Sequence, residues 1–177
     1  MTIHPSLYST ASEEWPTPQA FFDELNQEFC FTLDPCATKQ NHKCPIFFTK
    51  SDDGLSQGWG THRVFANPPY GRGIIEWARK CHEASQDGAL VVLLVHARTD
   101  TRWFHEWVYG KAELRFVKGR LKFGDGKQSA PFPSLLAVYR PPLELACVQP
   151  SVGVMLGEIG KSDLSHDECE IRQLQAA

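Results

Sequence analysis

Asn67-Pro68-Pro69-Tyr70 sets an amide, two prolines and an aromatic ring directly after the apolar run Val64-Phe65-Ala66 and just before Gly71-Arg72-Gly73. The prolines fix φ and carry no N–H, so the carbonyls of Asn67 and Pro68 can face a cleft instead of a sheet ladder. With the Asn67 side-chain oxygen they make acceptors for both protons of an exocyclic amine, and Tyr70 offers a face on which the planar group stacks. The competing reading is a plain turn followed by a packing tyrosine, because Asn-Pro and Pro-Pro are ordinary turn makers. Position favours the clamp, since ligands of open α/β sheets bind outside the carboxyl ends of the strands. A second polar corner, Asp34-Pro35-Cys36-Ala37, follows Phe31-Thr32-Leu33. In a parallel sheet the two corners share an edge and line one cleft.

Those corners need elements to carry them there. A helix is predicted over 18–28, with Thr17 as N-cap, Pro18 at the first helical position and Phe21, Phe22 and Leu25 on one side. Short strands are predicted at 31–33, 46–48 and 64–66, with the polar turn Ser51-Asp52-Asp53-Gly54 after the second. A helix over 74–85 follows, then the nearly continuous apolar run 89–95, suited to a central strand covered on both faces. A helix over 102–109 and strands at 114–123 and 135–139, joined by the 124–134 loop, complete the pattern. Strands alternating with helices predict an α/β fold: a mostly parallel, doubly wound sheet with helices on both faces. The last two strands have no helix between them and predict an antiparallel pair at one edge. The expected organisation is an N-terminal arm over 1–14, one domain over 15–142, and an extension over 143–177 that is partly disordered, with one further strand at 152–156.

The chain has 177 residues, 42% of them hydrophobic, which suits one domain with a real core. A net charge of −3 excludes a uniformly basic nucleic-acid coater. Charge is uneven, however: residues 98–127 carry eight basic and four acidic side chains, and residues from 141 onward carry six acids and two bases. A local basic stretch suits phosphate contacts on a protein acidic overall, and a solvated surface explains the same charges equally well. The six cysteines follow no disulfide framework and the N-terminus has no signal pattern, so free thiols in a reducing cytoplasm are expected. No apolar run approaches the ~20 residues of a membrane span. Cys36, His42 and Cys44 lack a fourth metal ligand at a recognisable spacing, and no metal is expected. There is no full Gly-x-Gly-x-x-Gly, no phosphate-binding Gly-Lys-Ser/Thr loop and no Ser/His/Asp set, which disfavours nicotinamide dinucleotide, nucleoside triphosphatase and triad chemistry.

Taken in order, Trp15-x-Thr17-Pro18, Asp34-Pro35-Cys36-Ala37 and Asn67-Pro68-Pro69-Tyr70 resemble S-adenosylmethionine-dependent amino-methyltransferases of DNA adenine. From about Trp15 to Arg140 the chain is similar to the compact phage and prophage DNA N6-adenine methyltransferases (Dam-type). The matching stretches also include Phe21-Phe22-Asp23, Asn41-x-Lys43-Cys44, Asp53-Gly54-Leu55 with Trp59, and Ala130-Pro131-Phe132-Pro133-Ser134.

The resemblance implies a Rossmann-like methyltransferase fold, S-adenosylmethionine as cofactor and double-stranded DNA as partner. It implies that Thr17 and Pro18, with Trp15, flank the methionine end of the cofactor, that Asp34, Pro35, Cys36 and Ala37 form its floor, and that Asp52 or Asp53 touches its adenine amine. An acid for the ribose hydroxyls is not evident. Asn67, Pro68, Pro69 and Tyr70 would be catalytic, acting on an adenine flipped out of the duplex. Tyr70 stacks on one face of the base, and Phe132 is the candidate for the other, an edge-strand core role being its rival. Arg72, Arg115, Lys118 and Arg120 are the expected phosphate contacts, and a phage-encoded enzyme would work in the host cytoplasm. The same clamp suits methylation of RNA amines or of a protein glutamine amide. A non-catalytic nucleic-acid-binding module, with a Cys/His metal knuckle, is the alternative from another class.

Overall fold

The structure, a computed structural model, describes residues 15–124 and 129–142. The expected arm over 1–14, the strand at 152–156, the extension over 143–177 and part of the 124–134 loop lie outside the described residues.

Nine elements follow in chain order: α1 (Gln19–Phe29), β1 (Leu33–Asp34), β2 (Ile46–Phe47), β3 (Arg63–Ala66), α2 (Ile74–Gln86), β4 (Leu90–His96), α3 (Arg102–Trp107), β5 (Glu113–Phe116) and β6 (Ser134–Tyr139). The strands form one mixed sheet in the order β2-β1-β3-β4-β6-β5. From β2 to β4 all pairings are parallel, with Leu33 opposite Val64 and Ala66 opposite Leu93. β6 alone runs the other way, pairing antiparallel with β4 (His96 opposite Ser134) and with β5. The antiparallel edge is thus where the missing crossover helix predicts it.

Period-two alternation divides the central strands between two cores. Val64, Ala66, Val91, Leu93, Val95, Leu135, Ala137 and Tyr139 face α2 and α3. Phe65, Val92, Leu94, Leu136 and Val138 face α1. Both faces being covered, β4 has no polar side to offer, which is why it reads as an unbroken apolar run. α1 meets its core with Phe22, Leu25 and Phe29, one helical stripe. α2 buries Ile74, Ala78, Cys81 and Ala84, mostly small side chains that let its axis lie close to the sheet.

Four details differ from the sequence expectation. Pro18, not Thr17, is the N-cap of α1, and no side chain caps that helix. β1 begins at Leu33, although Thr32 N–H already donates to Arg63 O at 2.8 Å. β5 stops at Phe116 instead of running to Phe123, because the chain turns at Gly119, whose φ of 80° a side chain would resist. Cys30 is disulfide-bonded, contrary to the expectation of free thiols throughout, whereas Cys36, Cys44 and Cys81 are free. Among the described residues no helix is long and apolar enough to cross a membrane.

Candidate active site

β1 and β3 are neighbours running in the same direction, so Asp34-Pro35-Cys36-Ala37 and Asn67-Pro68-Pro69 leave the sheet at the same edge. Between them lies a cleft of about 580 Å³, lined also by Trp15, Pro16, Thr17, Asp53 and Trp77. Burial, then Asp34, raises the pKa of the Cys36 thiol, and the backbone N–H of Asn67 on the facing corner opposes that rise. The cleft continues into a shallower groove of about 520 Å³ through shared walls at Ala37, Thr38, Thr49 and Lys50.

Asn67 is tied from behind by two hydrogen bonds. Its Nδ2 donates to Trp15 O at 2.7 Å and to Thr17 Oγ1 at 2.9 Å. Both amide protons are therefore used, and the assignment of oxygen and nitrogen is fixed because Trp15 O can only accept. Asn67 Oδ1 is buried and has no partner. A buried acceptor without a donor is costly, about 1–3 kcal/mol, and calls for a functional account. Pro69 O is taken by Gly71 N–H at 3.1 Å. The corner thus presents a buried acceptor, Asn67 Oδ1, whose own amide protons are both engaged.

Asp34 organises the opposite wall from within. One carboxylate oxygen accepts from Cys36 N–H at 3.2 Å and the other from Lys43 N–H at 3.1 Å, pinning the loop that follows β1. Burial raises the carboxyl pKa, and these two N–H groups pull it back. The next wall, 51–54, comes close to this loop: a side chain on Gly54 would put its Cβ 2.2 Å from Pro35 O. Trp59, buried, holds that turn by donating Nε1–H to Gly54 O at 2.9 Å. Of the two candidate acids, Asp53 lines the cleft, at a positive φ of 51°. Asp52 closes its own turn, accepting from Thr49 N–H (2.8 Å) and Thr49 Oγ1 (2.6 Å), and these bonds lower its pKa.

Tyr70 is 8% exposed, its ring not on the cleft wall but in an aromatic cluster with His96 (5.1 Å), Phe132 (5.4 Å) and Phe123 (6.4 Å). Its hydroxyl donates to Leu94 O at 3.4 Å, and burial holds the phenol protonated. Phe132 is half-buried and edge-on to Trp15 at 5.1 Å, which links this cluster to the cleft. Burial, then Arg98, lowers the pKa of His96 to about 4.

Arg72 is exposed on the turn after Tyr70. Since β4 and β5 both flank β6 antiparallel, β5 points the same way as β3, and the exposed Lys118 and Arg120 beyond its end reach the Asn67 edge. Arg115 is not brought to the cleft. It lies within β5, its guanidinium held by Glu28 on α1 (2.6 and 2.8 Å) and by Glu113 (2.6 Å). Pro18 does not line the cleft; its carbonyl accepts from Phe22 N–H at 3.1 Å in the first turn of α1.

Thr38, Asn41, Lys43, Thr49, Lys50, Gly54 and Trp77 line the cleft without having been singled out for a role there. Asn41, Lys43 and Gly54 had a signal, as members of the stretches that carry the family resemblance. Trp77 reads from sequence only as part of the α2 core face. Cys36, His42 and Cys44 form no metal centre: His42 stacks on Phe47 at 4.2 Å and Cys44 packs under α1. Among the described residues no group of three or more His, Cys, Asp or Glu is placed to hold an ion.

Residues 6–141 match the family DNA N-6-adenine-methyltransferase (Dam). The chain is 27% identical over 135 residues to the DNA N-6-adenine-methyltransferase of Haemophilus phage HP1 (strain HP1c1), covering 72% of this chain and 78% of the phage protein. It is also 32% identical over 65 residues to the putative methyltransferase YfdM of Escherichia coli (strain K12), covering 33% of this chain and 71% of YfdM. A match over most of its length, including both corners of the cleft, makes this chain a member of the DNA N-6-adenine-methyltransferase (Dam) family, an enzyme of DNA adenine-N6 methylation.

Proposed function

We propose that the cleft holds S-adenosylmethionine in a single-domain Rossmann-like fold and that the Asn67 corner grips the N6 amine of an adenine extruded from duplex DNA. The observation that carries this reading is the Asn67 amide, which has both protons engaged and its oxygen unpartnered beside a ligand-sized cleft.

The residues present fit the cofactor. A cleft of about 580 Å³ has the capacity for a nucleoside linked to an amino acid. Its walls combine apolar surface (Pro35, Ala37, Trp77) with polar groups of both kinds (Thr38, Asn41, Lys50, Asp53), as such an amphipathic ligand requires. Asp34 to Ala37 would form the floor, and Asp53, in preference to Asp52, would accept from the adenine amine. When bound, S-adenosylmethionine supplies an electrophilic methyl group on a sulfonium.

N6 of adenine is a weak nucleophile because its lone pair is delocalised into the ring. Acceptance of the amine protons by Asn67 Oδ1 and Pro68 O draws the nitrogen toward a tetrahedral geometry, freeing that pair to attack. As the N–C bond forms, the methyl–sulfur bond would break and leave a neutral thioether; the positive charge arising on nitrogen is met by the same oxygens, and one proton then leaves for solvent. Catalysis here is electrostatic and orientational. No thiolate is involved: burial, then Asp34, pushes the Cys36 thiol well above its ordinary value. An adenine in a duplex cannot reach the corner, so it must be flipped, and the Tyr70–Phe132 aromatic cluster, which meets the cleft through Trp15, would supply the face that receives it. Arg72, Lys118 and Arg120 are suited to the flanking phosphates.

RNA amines and protein glutamine amides suit the same acceptors, and family membership is what favours DNA. Transfer of labelled methyl from S-adenosylmethionine to duplex DNA, RNA and a protein extract in parallel tests the reading. The expected result is N6-methyladenine in the duplex. Label confined to RNA or protein overturns it.

A further inference from the structure

We propose that Thr17 is a positioning residue: its hydroxyl oxygen, beside the Trp15 carbonyl, holds the Asn67 amide in the one orientation that presents an acceptor to the methyl-receiving amine. This rests on the proposed role of Asn67 and adds a residue to it.

A side-chain amide has two nearly isosteric orientations, and only one is useful here. With Oδ1 toward the amine, Asn67 accepts a proton; rotated by half a turn, it offers Nδ2 to a group that is itself a donor. The choice is made by what lies behind the amide. Trp15 O, at 2.7 Å, only accepts, and Thr17 Oγ1, at 2.9 Å, takes the second Nδ2 proton. Thr17 is only 6% exposed, so water is poorly placed to replace its oxygen.

The segment bearing these two acceptors is itself fixed. Pro16 O accepts from Gly124 N–H at 2.9 Å, and the Trp15 ring lies edge-on to Phe123 at 5.6 Å and Phe132 at 5.1 Å. Thr17 also stands one residue before the N-cap of α1, yet no side chain caps that helix. A residue type well suited to capping directs its oxygen to a partner 50 positions away.

The test compares Thr17→Val, which keeps shape and loses the acceptor, with Thr17→Ser, which keeps the acceptor. In full-length protein, kcat on duplex DNA is measured at saturating S-adenosylmethionine, and the Kd of S-adenosylmethionine by equilibrium dialysis. Loss of one hydrogen bond at a catalytic amide is expected to lower kcat about 3- to 10-fold in Thr17→Val, a larger factor than any accompanying rise in Kd, Thr17 also lining the cleft. Thr17→Ser is expected to recover most of the rate. On an Asn67→Ala background, Thr17→Val is expected to cost nothing more, since no amide remains to orient. Unchanged kcat, a loss confined to cofactor Kd, or losses that multiply with Asn67→Ala would overturn the inference. Should circular dichroism show Thr17→Val unfolded, Thr17→Ala removes the same oxygen without placing a methyl against Nδ2, and the same criteria apply. An Asn67→Ala enzyme with full kcat would sink the Asn67 reading itself, whereas an impaired Asn67→Ala beside an unimpaired Thr17→Val sinks only the role of Thr17.

Discussion

Asn67→Ala separates a catalytic amide from a structural one, because the two roles predict opposite patterns of stability and rate. The substitution removes two hydrogen bonds, to Trp15 O and Thr17 Oγ1, each of net worth about 0.5–1.5 kcal/mol. It also removes a buried oxygen with no partner, whose desolvation costs about 1–3 kcal/mol in the native state. The two effects nearly cancel, and the unfolding free energy in urea is expected to change by no more than about 1 kcal/mol. Rate behaves differently, since loss of a preorganised polar group facing developing charge costs about 10²–10³ in kcat. Asn67→Asp keeps an acceptor toward the amine and retains part of the activity. Its second oxygen then faces Trp15 O at 2.7 Å, so Asp is expected to destabilise the fold more than Ala does. The assays are single-turnover methylation of duplex DNA, S-adenosylmethionine binding by dialysis and urea unfolding. If Asn67→Ala unfolded the protein by more than about 3 kcal/mol while folded molecules kept their rate, the amide would be scaffolding and the reasoning wrong.

Gly54→Ala places a methyl group 2.2 Å from Pro35 O, so one cleft wall must retreat by roughly 1 Å to reach ordinary contact. S-adenosylmethionine Kd is expected to rise at least about tenfold with the fold retained, and an unchanged Kd would detach these walls from the cofactor. Each phosphate contacted contributes about −0.9 to the slope of log K against log salt, so Lys118→Ala with Arg120→Ala is expected to flatten that slope by about 2, whereas Arg115→Ala leaves it unchanged. Arg115 is engaged by Glu28 and Glu113, and an equal effect of its loss would contradict that assignment. His96 has its pKa lowered from 6.5 to about 4, so the unfolded chain binds its proton more readily. Its contribution to stability is complete above pH 6.5 and lost as pH falls toward 4, by about 2 kcal/mol between pH 7 and 5. Urea unfolding at both pH values should show that loss in wild type and not in His96→Phe; equal pH slopes would refute it.

Those parts of the fold set by local pattern were legible in the sequence. β4 is visible because a strand covered on both faces has no polar positions, and the antiparallel edge because no helix separates the last two strands. The two corners were legible because Asp-Pro and Asn-Pro-Pro-Tyr end apolar runs, and parallel strands must deliver their ends to one edge. What escaped was decided by partners distant in the chain. Arg115 reads as one more cation in a basic stretch until Glu28, 87 residues away, closes on it. Trp77 reads as core because helical periodicity places it on a broad apolar face, and only the assembled sheet turns it toward the cleft. The same distinction applies within the clamp. Asn67 is named by its motif, but an amide has two faces, and the one it shows is set by Trp15 and Thr17, 52 and 50 residues earlier. A motif therefore specifies which atoms are available to the amine, while the long-range packing of residues 15–17 specifies which of them it meets.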